Sequence, residues 1–180
     1  MSADSDAERW PLPRAFSPVG PLPQAPVGHT WESLMDAALE AARQGARLGE
    51  IPVGALVAEQ GGRILACSHN ASVSLHDPTA HAEILALRAA GKTLDNYRLA
   101  GCVLVVTLEP CPMCAAALVH ARLDGLVFGA ADARAGAVIS RAEYLDTPTG
   151  HRLWHLGGVR AEICAAVLRD FFAGRRAGKY

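Results

Sequence analysis

Two short segments of this 180-residue chain carry side chains that could do chemistry together, His81-Ala-Glu83 and Pro110-Cys-Pro-Met-Cys114. Cysteines three positions apart in the first turn of a helix point the same way, so both sulfur atoms can reach one ion. A helix N-terminus also favours thiolate over thiol, because its N–H groups and dipole stabilise negative charge. Two thiolates and an imidazole form a ligand set that suits zinc. The spacing therefore predicts a zinc site formed by His81, Cys111 and Cys114.

The number of ligands indicates what kind of zinc site this is. Structural zinc sites have four protein ligands, whereas catalytic sites keep one position for water. His76 is a poor fourth ligand, because it is close in sequence to His81 and lies on the other side of Pro78. Glu83 is about 200° around an ideal helix from His81, which suits proton transfer better than coordination. The pattern predicts a catalytic site; a redox C-x-x-C pair is the competing interpretation, although a thioredoxin-like setting is missing.

Composition and charge exclude several broad classes of protein. With 51% hydrophobic and 19% charged residues, the chain fits one folded domain rather than a disordered protein. The net charge of −1 gives no overall attraction to nucleic acid, but a local basic patch remains compatible with it. No apolar run approaches the roughly 18 residues of a membrane helix, and no signal-peptide pattern opens the chain. We therefore expect a cytoplasmic protein with no membrane partner.

The five cysteines are odd in number and irregularly spaced, so we expect reduced thiols rather than a disulfide framework. The C-x-x-C pair is set apart by its spacing. Cys67, Cys102 and Cys164 have aliphatic neighbours, which predicts small buried hydrophobic side chains.

The chain divides at residue 29 into a tail and one domain. Residues 1–29 hold six of the eleven prolines, which block regular backbone hydrogen bonding, so an extended or disordered segment is predicted. Residues 30–180 are predicted to carry the fold.

The two motifs need elements that bring them together. The patterns predict four helices, which run from Thr30 to about Leu48, from Asp77-Pro78 to Gly91, from Pro112 to about Leu123 and from about Ala161 to Arg176. They also predict a hairpin of strands at 53–58 and 63–68 joined by Gly61-Gly62, a buried strand at 102–108 and a strand at 126–129. Residues 131–158 show no clear period. The β-α-β order around the cysteine helix favours parallel strands with a right-handed crossover. A three-layer α/β domain with a mixed sheet follows, in which two helix starts meet at the metal.

Longer stretches resemble the bacterial tRNA-specific adenosine deaminases, within the cytidine-deaminase-like superfamily. They are Glu50-Ile-Pro-Val-Gly-Ala55, His76-Asp-Pro-Thr-Ala-His-Ala-Glu83, Asn96-Tyr-Arg-Leu99, Val106-Thr-Leu-Glu-Pro-Cys-Pro-Met-Cys114, Phe128-Gly-Ala130, residues 132–136 and Asp170-Phe-Phe172. The resemblance implies a zinc-dependent deaminase domain over 30–180, an α/β/α fold with a central five-stranded mixed sheet. It also implies one zinc ion per subunit, held by His81, Cys111 and Cys114 with water as the fourth ligand.

The activity implied by the resemblance is hydrolytic deamination of adenosine to inosine at the wobble position of a tRNA anticodon. Zinc-hydroxide would attack C6 of the adenine ring, with Glu83 as the proton shuttle. The implied substrate contacts are Asn70 to the target nucleoside, Asp132 to ribose and RNA backbone, and Phe172 to an anticodon-loop base. The implied partners are a tRNA anticodon stem-loop and a second copy of the chain, with His120 structural or interfacial, and no DNA.

Ordinary structural roles compete with several of these assignments. Asn70 also suits a turn after the second strand, and Asp132 suits a loop cap. Of the two adjacent aromatics, Phe171 is the one expected in the core. Glu50, Ile51 and Pro52 match a pocket-lining segment, but Ile-Pro is also ordinary at a strand start. The basic cluster of Arg175, Arg176 and Lys179 fits phosphate contact or a solvated helix end.

Two segments depart from the family pattern, Ala137-Val-Ile-Ser140 and Gly150-His151. They fall where the family shapes its RNA-binding face, so they bear on the substrate rather than on the chemistry. A deaminase of a free nucleobase or nucleoside, of guanine or cytosine type, is the alternative function. A non-catalytic zinc scaffold is a third, which Glu83 argues against, because a structural site needs no proton shuttle.

Overall fold

A computed structural model describes residues 23–146 and 151–177 of the chain. The helices are α1 (Trp31–Arg47), α2 (Ala82–Leu94), α3 (Pro112–His120) and α4 (Ala161–Arg176), and the strands are β1 (Gly54–Glu59), β2 (Ile64–His69), β3 (Cys102–Leu108), β4 (Gly125–Ala130) and β5 (Trp154–Gly157). A short 3-10 turn, Tyr144–Asp146, lies between β4 and β5. Among these described helices, none is long and apolar enough to cross a membrane.

The strands form one mixed sheet in the order β2-β1-β3-β4-β5. β1 runs antiparallel to β2 and to β3, whereas β3, β4 and β5 run parallel to one another. The hairpin at Gly61-Gly62 is confirmed, with Gly62 at φ +97°. The parallel pairing of β3 with β4 across α3 is also confirmed, and so is the five-stranded mixed sheet.

Helices cover both faces of the sheet and produce three layers. α1 and α4 pack on one face, and α2 and α3 pack on the other. Along β3 the side chains alternate between the two cores, with Leu104 on the α2 and α3 side and Val105 on the α1 side. A strand buried on both faces explains why its sequence is a continuous apolar run. The predicted three-layer α/β/α class is confirmed.

Part of the segment assigned to the tail contacts the domain. The Trp31 indole Nε1 donates to the Pro23 carbonyl at 2.9 Å, and Val27 N donates to the Gln60 carbonyl at 3.0 Å. His29 Nε2 hydrogen-bonds with the Gly62 carbonyl at 2.9 Å. Residues 23–29 therefore lie against α1 and the β1–β2 turn, and residues 1–22 lie outside the described part of the chain.

The predicted start of the second helix is wrong. Asp77-Pro78 was expected to begin it, but α2 begins at Ala82 with His81 as the N-cap residue. Asp77 Oδ1 instead accepts hydrogen bonds from Thr79 N at 2.8 Å and the Thr79 hydroxyl at 2.7 Å, which closes a turn before the helix.

Other boundaries also differ from the prediction. α2 continues through Gly91 to Leu94 and ends where Asp95 adopts a left-handed conformation with φ +49°. α3 ends at His120, short of the predicted Leu123. Cys102 and Cys164 are buried as predicted, but the prediction for Cys67 is wrong. Cys67 is exposed, because it lies on β2 at the edge of the sheet, where neighbours cover a side chain on fewer sides.

Candidate metal centre

Two helix N-termini bring the predicted ligands together. His81 is the N-cap residue of α2, and Cys111 is the N-cap residue of α3. Pro112 follows at the first helical position, where its missing N–H costs nothing, and Cys114 completes the first turn. One ligand atom from each of His81, Cys111 and Cys114 lies within 4.8 Å of the others. Within residues 23–146 and 151–177 this is the one group of three such side chains that could hold a metal ion.

The distances between the ligand atoms fit zinc. His81 Nδ1 lies 3.7 Å from Cys111 Sγ and 3.5 Å from Cys114 Sγ. A tetrahedral ion with Zn–S about 2.3 Å and Zn–N about 2.0–2.1 Å requires nitrogen and sulfur about 3.6 Å apart. The three side chains therefore already stand at the separations that a shared zinc ion needs, with His81 presenting Nδ1.

The two cysteine side chains interact with each other, and this changes the pKa of both. A hydrogen bond from the Cys114 thiol lowers the pKa of Cys111 to about 4, despite the opposing effect of burial. The same hydrogen bond and burial raise the pKa of Cys114. The hydrogen bond with Cys111 also raises the pKa of His81. The cluster thus offers one thiolate together with protons that a divalent cation would displace on binding.

Glu83 stands beside this cluster as a buried carboxyl group. Its side chain is 4% exposed, and burial raises its pKa. The charges of His81 and Cys111 also act on this carboxyl group, which places it beside the ligand cluster. A carboxyl group beside a metal centre can take up a proton and release it again during a reaction.

Asn70, which follows β2, contacts the start of α2 beside His81. Its side chain is 8% exposed, and its Oδ1 accepts a hydrogen bond from Ala82 N at 2.8 Å. Its backbone N donates to the Val53 carbonyl at 3.1 Å. The amide nitrogen of the Asn70 side chain makes no hydrogen bond to the residues that the structure describes, so it is the part of the side chain that a ligand can use. Asn70 is therefore more than a turn residue, because it caps α2.

The remaining predicted substrate residues lie in the loop after β4 and on α4. Asp132 follows β4, and its Oδ1 accepts hydrogen bonds from Arg134 N at 2.9 Å and Ala135 N at 3.2 Å, which is the predicted loop cap. Phe172 lies on α4, on the α1 side of the sheet, with 38% of its surface exposed. Its neighbour Phe171 is 2% exposed, which confirms that Phe171 is the core residue of the pair.

The basic cluster is described only in part. Arg175 and Arg176 are exposed in the last turn of α4, and Lys179 lies outside the described residues. The Arg175 guanidinium stands 5.8 Å from the centre of the Phe171 ring. Of the two segments that depart from the family pattern, 137–140 is described, whereas Gly150 is not.

Two further buried carboxylates border the centre. Glu50, 1% exposed, accepts hydrogen bonds from Val73 N at 3.1 Å and Ser74 N at 2.7 Å, so it holds the loop that follows Asn70. Burial alone raises the pKa of Glu50, but these hydrogen bonds outweigh it and the pKa is lowered. Glu109, 2% exposed, holds the loop that follows β4. Sequence reasoning gave no role to Glu109, because its partners lie more than twenty residues away in the chain.

The chain is similar to one protein family and to several known proteins. Residues 29–130 match the cytidine and deoxycytidylate deaminase zinc-binding region. A tRNA-specific adenosine deaminase of Haemophilus influenzae is 47% identical over 149 residues, which cover 82% of this chain and 86% of that protein. A structure solved in studies of A-to-I editing by tRNA:A34 deaminases at the wobble position has a TM-score of 0.73 and 41% identity, covering 76% of this chain and 99% of that one. A guanine deaminase from Nitrosomonas europaea has a TM-score of 0.71 and 27% identity, covering 79% and 84%.

Proposed function

The chain belongs to the family defined by the cytidine and deoxycytidylate deaminase zinc-binding region, and we propose that it deaminates adenosine to inosine at the wobble position of a tRNA anticodon. The observation that carries the proposal is the meeting of one imidazole and two thiols at zinc distances, with the buried carboxyl group of Glu83 beside them. The substrate is supported by the relatives named for tRNA, which are 47% and 41% identical, against 27% for the guanine deaminase. A tRNA substrate implies a cytoplasmic enzyme.

One zinc ion per subunit is proposed for the cluster of His81, Cys111 and Cys114. When bound there, zinc supplies a Lewis acid that makes water nucleophilic at neutral pH. Two thiolates balance the charge of the cation, and the neutral imidazole adds none. Glu83 is then the carboxylate that remains to handle protons.

Glu83 moves two protons in the proposed reaction. It takes one from the attacking water and delivers it to the purine ring nitrogen as oxygen bonds to C6. It next takes the proton of the hydroxyl group on C6 and passes it to the exocyclic amine; the bond between C6 and the amine breaks as C6=O forms, so that inosine and ammonia are the products. Burial supports this role, because it raises the pKa of Glu83 and so helps the same group to act as base and as acid.

The proposed substrate contacts use groups that the fold leaves available. The side-chain amide nitrogen of Asn70 donates to the nucleobase, since Oδ1 is already bonded to Ala82 N. Asp132 contacts the ribose and backbone of the RNA. Phe172 offers an exposed ring on which a base of the anticodon loop stacks, a contact worth about 1–3 kcal/mol per base. Arg175 and Arg176 contact phosphates beside it.

A homodimer is proposed through α2 and α3. An open depression of about 750 Å³ lies between these helices, lined by residues that include Leu87, Tyr97 and His120. Tyr97 is 71% exposed there, so its ring is available for contact with a partner. His120, at the end of α3, would thus be interfacial.

The substrate classes can be separated in one experiment. The zinc-loaded protein is given the anticodon stem-loop, free adenosine, free guanine and cytidine in separate reactions, and ammonia release is measured. The proposal predicts release from the stem-loop at a rate at least about a hundredfold above the others. Release from guanine or cytidine alone would establish the free-base or nucleoside alternative, and binding of the stem-loop without turnover of any substrate would indicate the scaffold.

A further inference from the structure

Glu109 is a buried carboxylate that the proposed chemistry does not use. It lies between β3 and the ligand Cys111, and 2% of its surface is exposed. We propose that Glu109 is a positioning residue that fixes the loop 132–140 against the metal-binding segment, so that Asp132 is held in place for the RNA. This inference rests on the proposed function, because it assigns the loop to substrate binding.

The carboxylate is the centre around which the loop folds. Glu109 Oε1 accepts hydrogen bonds from Val138 N at 3.0 Å, Ile139 N at 2.8 Å and Ser140 N at 3.0 Å. Glu109 Oε2 accepts from Asp132 N at 2.9 Å and from the Ser140 hydroxyl. All five groups are donors, so they need a partner that only accepts, and both oxygen atoms of a carboxylate do so. An amide could serve only one of the two oxygen positions.

The rest of the loop is shaped to this carboxylate. A methyl group at Gly136 would lie 2.4 Å from the Glu109 carboxylate and 2.6 Å from the Asp132 carbonyl, so the close approach requires glycine. Ala137 N donates to the Pro110 carbonyl at 2.9 Å, directly beside Cys111. Both ends of the loop are therefore tied to the segment that carries the metal ligands.

The unusual residues of the loop strengthen the same attachment. Val138 is 1% exposed and belongs to the core that α2 and α3 form with the sheet, and Ile139 packs against that core. The departure at 137–140 thus lies at one of the two anchored ends of the loop. Asp132 lies at the other anchored end, is only partly buried, and accepts from Arg134 N and Ala135 N through Oδ1. Asp132 Oδ2 makes no hydrogen bond to the described residues, so this oxygen atom is available to a ligand.

The attachment is tested first without any substrate. In the zinc-loaded full-length protein, Glu109→Gln should speed amide hydrogen exchange at Val138, Ile139 and Ser140 by about tenfold or more, since hydrogen bonds that protect these amides weaken. Glu50→Gln is the matched control, because it replaces another buried carboxylate whose partners lie in the loop 71–76. It should speed exchange at residues 73 and 74 and leave 138–140 unchanged. Unchanged exchange at 138–140 in Glu109→Gln would overturn the proposal.

The role in substrate binding is tested by separating KM from kcat on the anticodon stem-loop. We expect Glu109→Gln to raise KM about tenfold and to change kcat less than about threefold, with zinc content unchanged, because the loop and not the metal is released. Asp132→Ala should raise KM similarly. The double variant should be little worse than either single variant, because both act through the same contact. Additive effects, or a fall in kcat with unchanged KM, would overturn the positioning role.

A milder variant keeps the test decisive if Glu109→Gln does not fold. Ser140→Ala removes one donor to Glu109 Oε2, and it should shift exchange at 138–140 and KM in the same directions by a smaller factor. No shift in either quantity would overturn the proposal. If the wild type leaves the stem-loop unchanged, the proposed function and the RNA role of the loop fail together, while the exchange measurement still decides whether Glu109 holds the loop.

Discussion

The side-chain oxygen of Asn70 accepts a hydrogen bond from Ala82 N at 2.8 Å, and so joins the end of β2 to the first residue of α2. Ala82 directly follows the proposed ligand His81 and directly precedes Glu83. One amide side chain therefore fixes the backbone between a proposed metal ligand and the proposed proton shuttle. The nitrogen of the same side-chain amide is the donor that we assign to the nucleobase.

Substitutions at Asn70 should separate these two functions. Asn70→Asp keeps the oxygen that caps α2 but removes the amide donor, so we expect near wild-type thermal stability with at least about tenfold lower kcat/KM. Asn70→Ala removes both and should also lower the free energy of unfolding by about 1 kcal/mol. Thermal unfolding and stem-loop kinetics on both variants check this. Equal stability losses in the two variants would contradict the capping role.

The stability contributed by Glu50 should depend on pH. Hydrogen bonds from Ser74 N and Val73 N lower the pKa of folded Glu50 below its ordinary value of 4.5, so the ionised form stabilises the fold above that value. Relative to wild type, Glu50→Gln should lose about 1 kcal/mol of unfolding free energy at pH 7. This difference should shrink as the pH falls through 4.5 and below, because wild-type Glu50 is then protonated too.

Denaturant unfolding at several pH values measures that difference. Glu162→Gln, at an exposed position in the first turn of α4, is the control and should show a small difference with little pH dependence. A gap for Glu50→Gln that stays constant from pH 7 to pH 3 would show that the carboxylate does not act through its charge.

Metal removal should affect the fold as well as the activity. A chelator should lower the Tm of the wild type, because a ligand that binds the folded state stabilises it. Cys114→Ser should contain little zinc after purification and should show almost no response to the chelator. Cys67→Ser is the matched control, since Cys67 is exposed on the edge strand, and it should respond as the wild type does. Zinc analysis and thermal unfolding measure both, and full zinc retention by Cys114→Ser would contradict the ligand assignment.

The dimer can be checked through a single exposed residue. Light scattering should give a mass near twice the 18.9 kDa of the chain. Tyr97→Asp should shift the wild-type dimer toward monomer, because a charge would be buried in the proposed interface without a partner. Ile163→Asp, at another exposed hydrophobic position, on α4, should leave the mass unchanged. A wild type that is monomeric at every concentration tested would contradict the proposed dimer.

The parts of the fold that the sequence predicts are those set by local pattern. β3 is a continuous apolar run, Pro112 starts α3, and α4 runs from Ala161 to Arg176 in the structure as in the prediction. The start of α2 was missed because Asp77 can cap a turn or a helix, and its neighbour Thr79 completes the turn. β5 was missed because its four residues are ordered by pairing with β4.

In the candidate site, too, the sequence predicts the features that depend on local spacing and misses those that depend on distant contacts. The spacing of Cys111 and Cys114 predicts their convergence, because both lie in one helical turn, and His81 is predicted to join them because it lies near the start of a second helix. The roles of Glu109 and of the Asn70 oxygen could not be predicted, since each depends on backbone N–H groups that only the folded chain brings near. Glu109 meets Ser140 across 31 residues, and Asn70 meets Ala82 across 12.

Deamination of the wobble adenosine is tested by looking for inosine in a defined RNA. Zinc-loaded protein is incubated with an anticodon stem-loop that has adenosine at the wobble position, and the nucleosides are analysed by mass spectrometry. We expect one inosine per stem-loop with the wild type, none from the same RNA with guanosine at that position, and at least about a hundredfold less with Glu83→Gln at unchanged zinc content. No inosine from intact wild type would contradict deamination of the wobble adenosine, and wild-type turnover by Glu83→Gln would contradict the proton-shuttle role of Glu83.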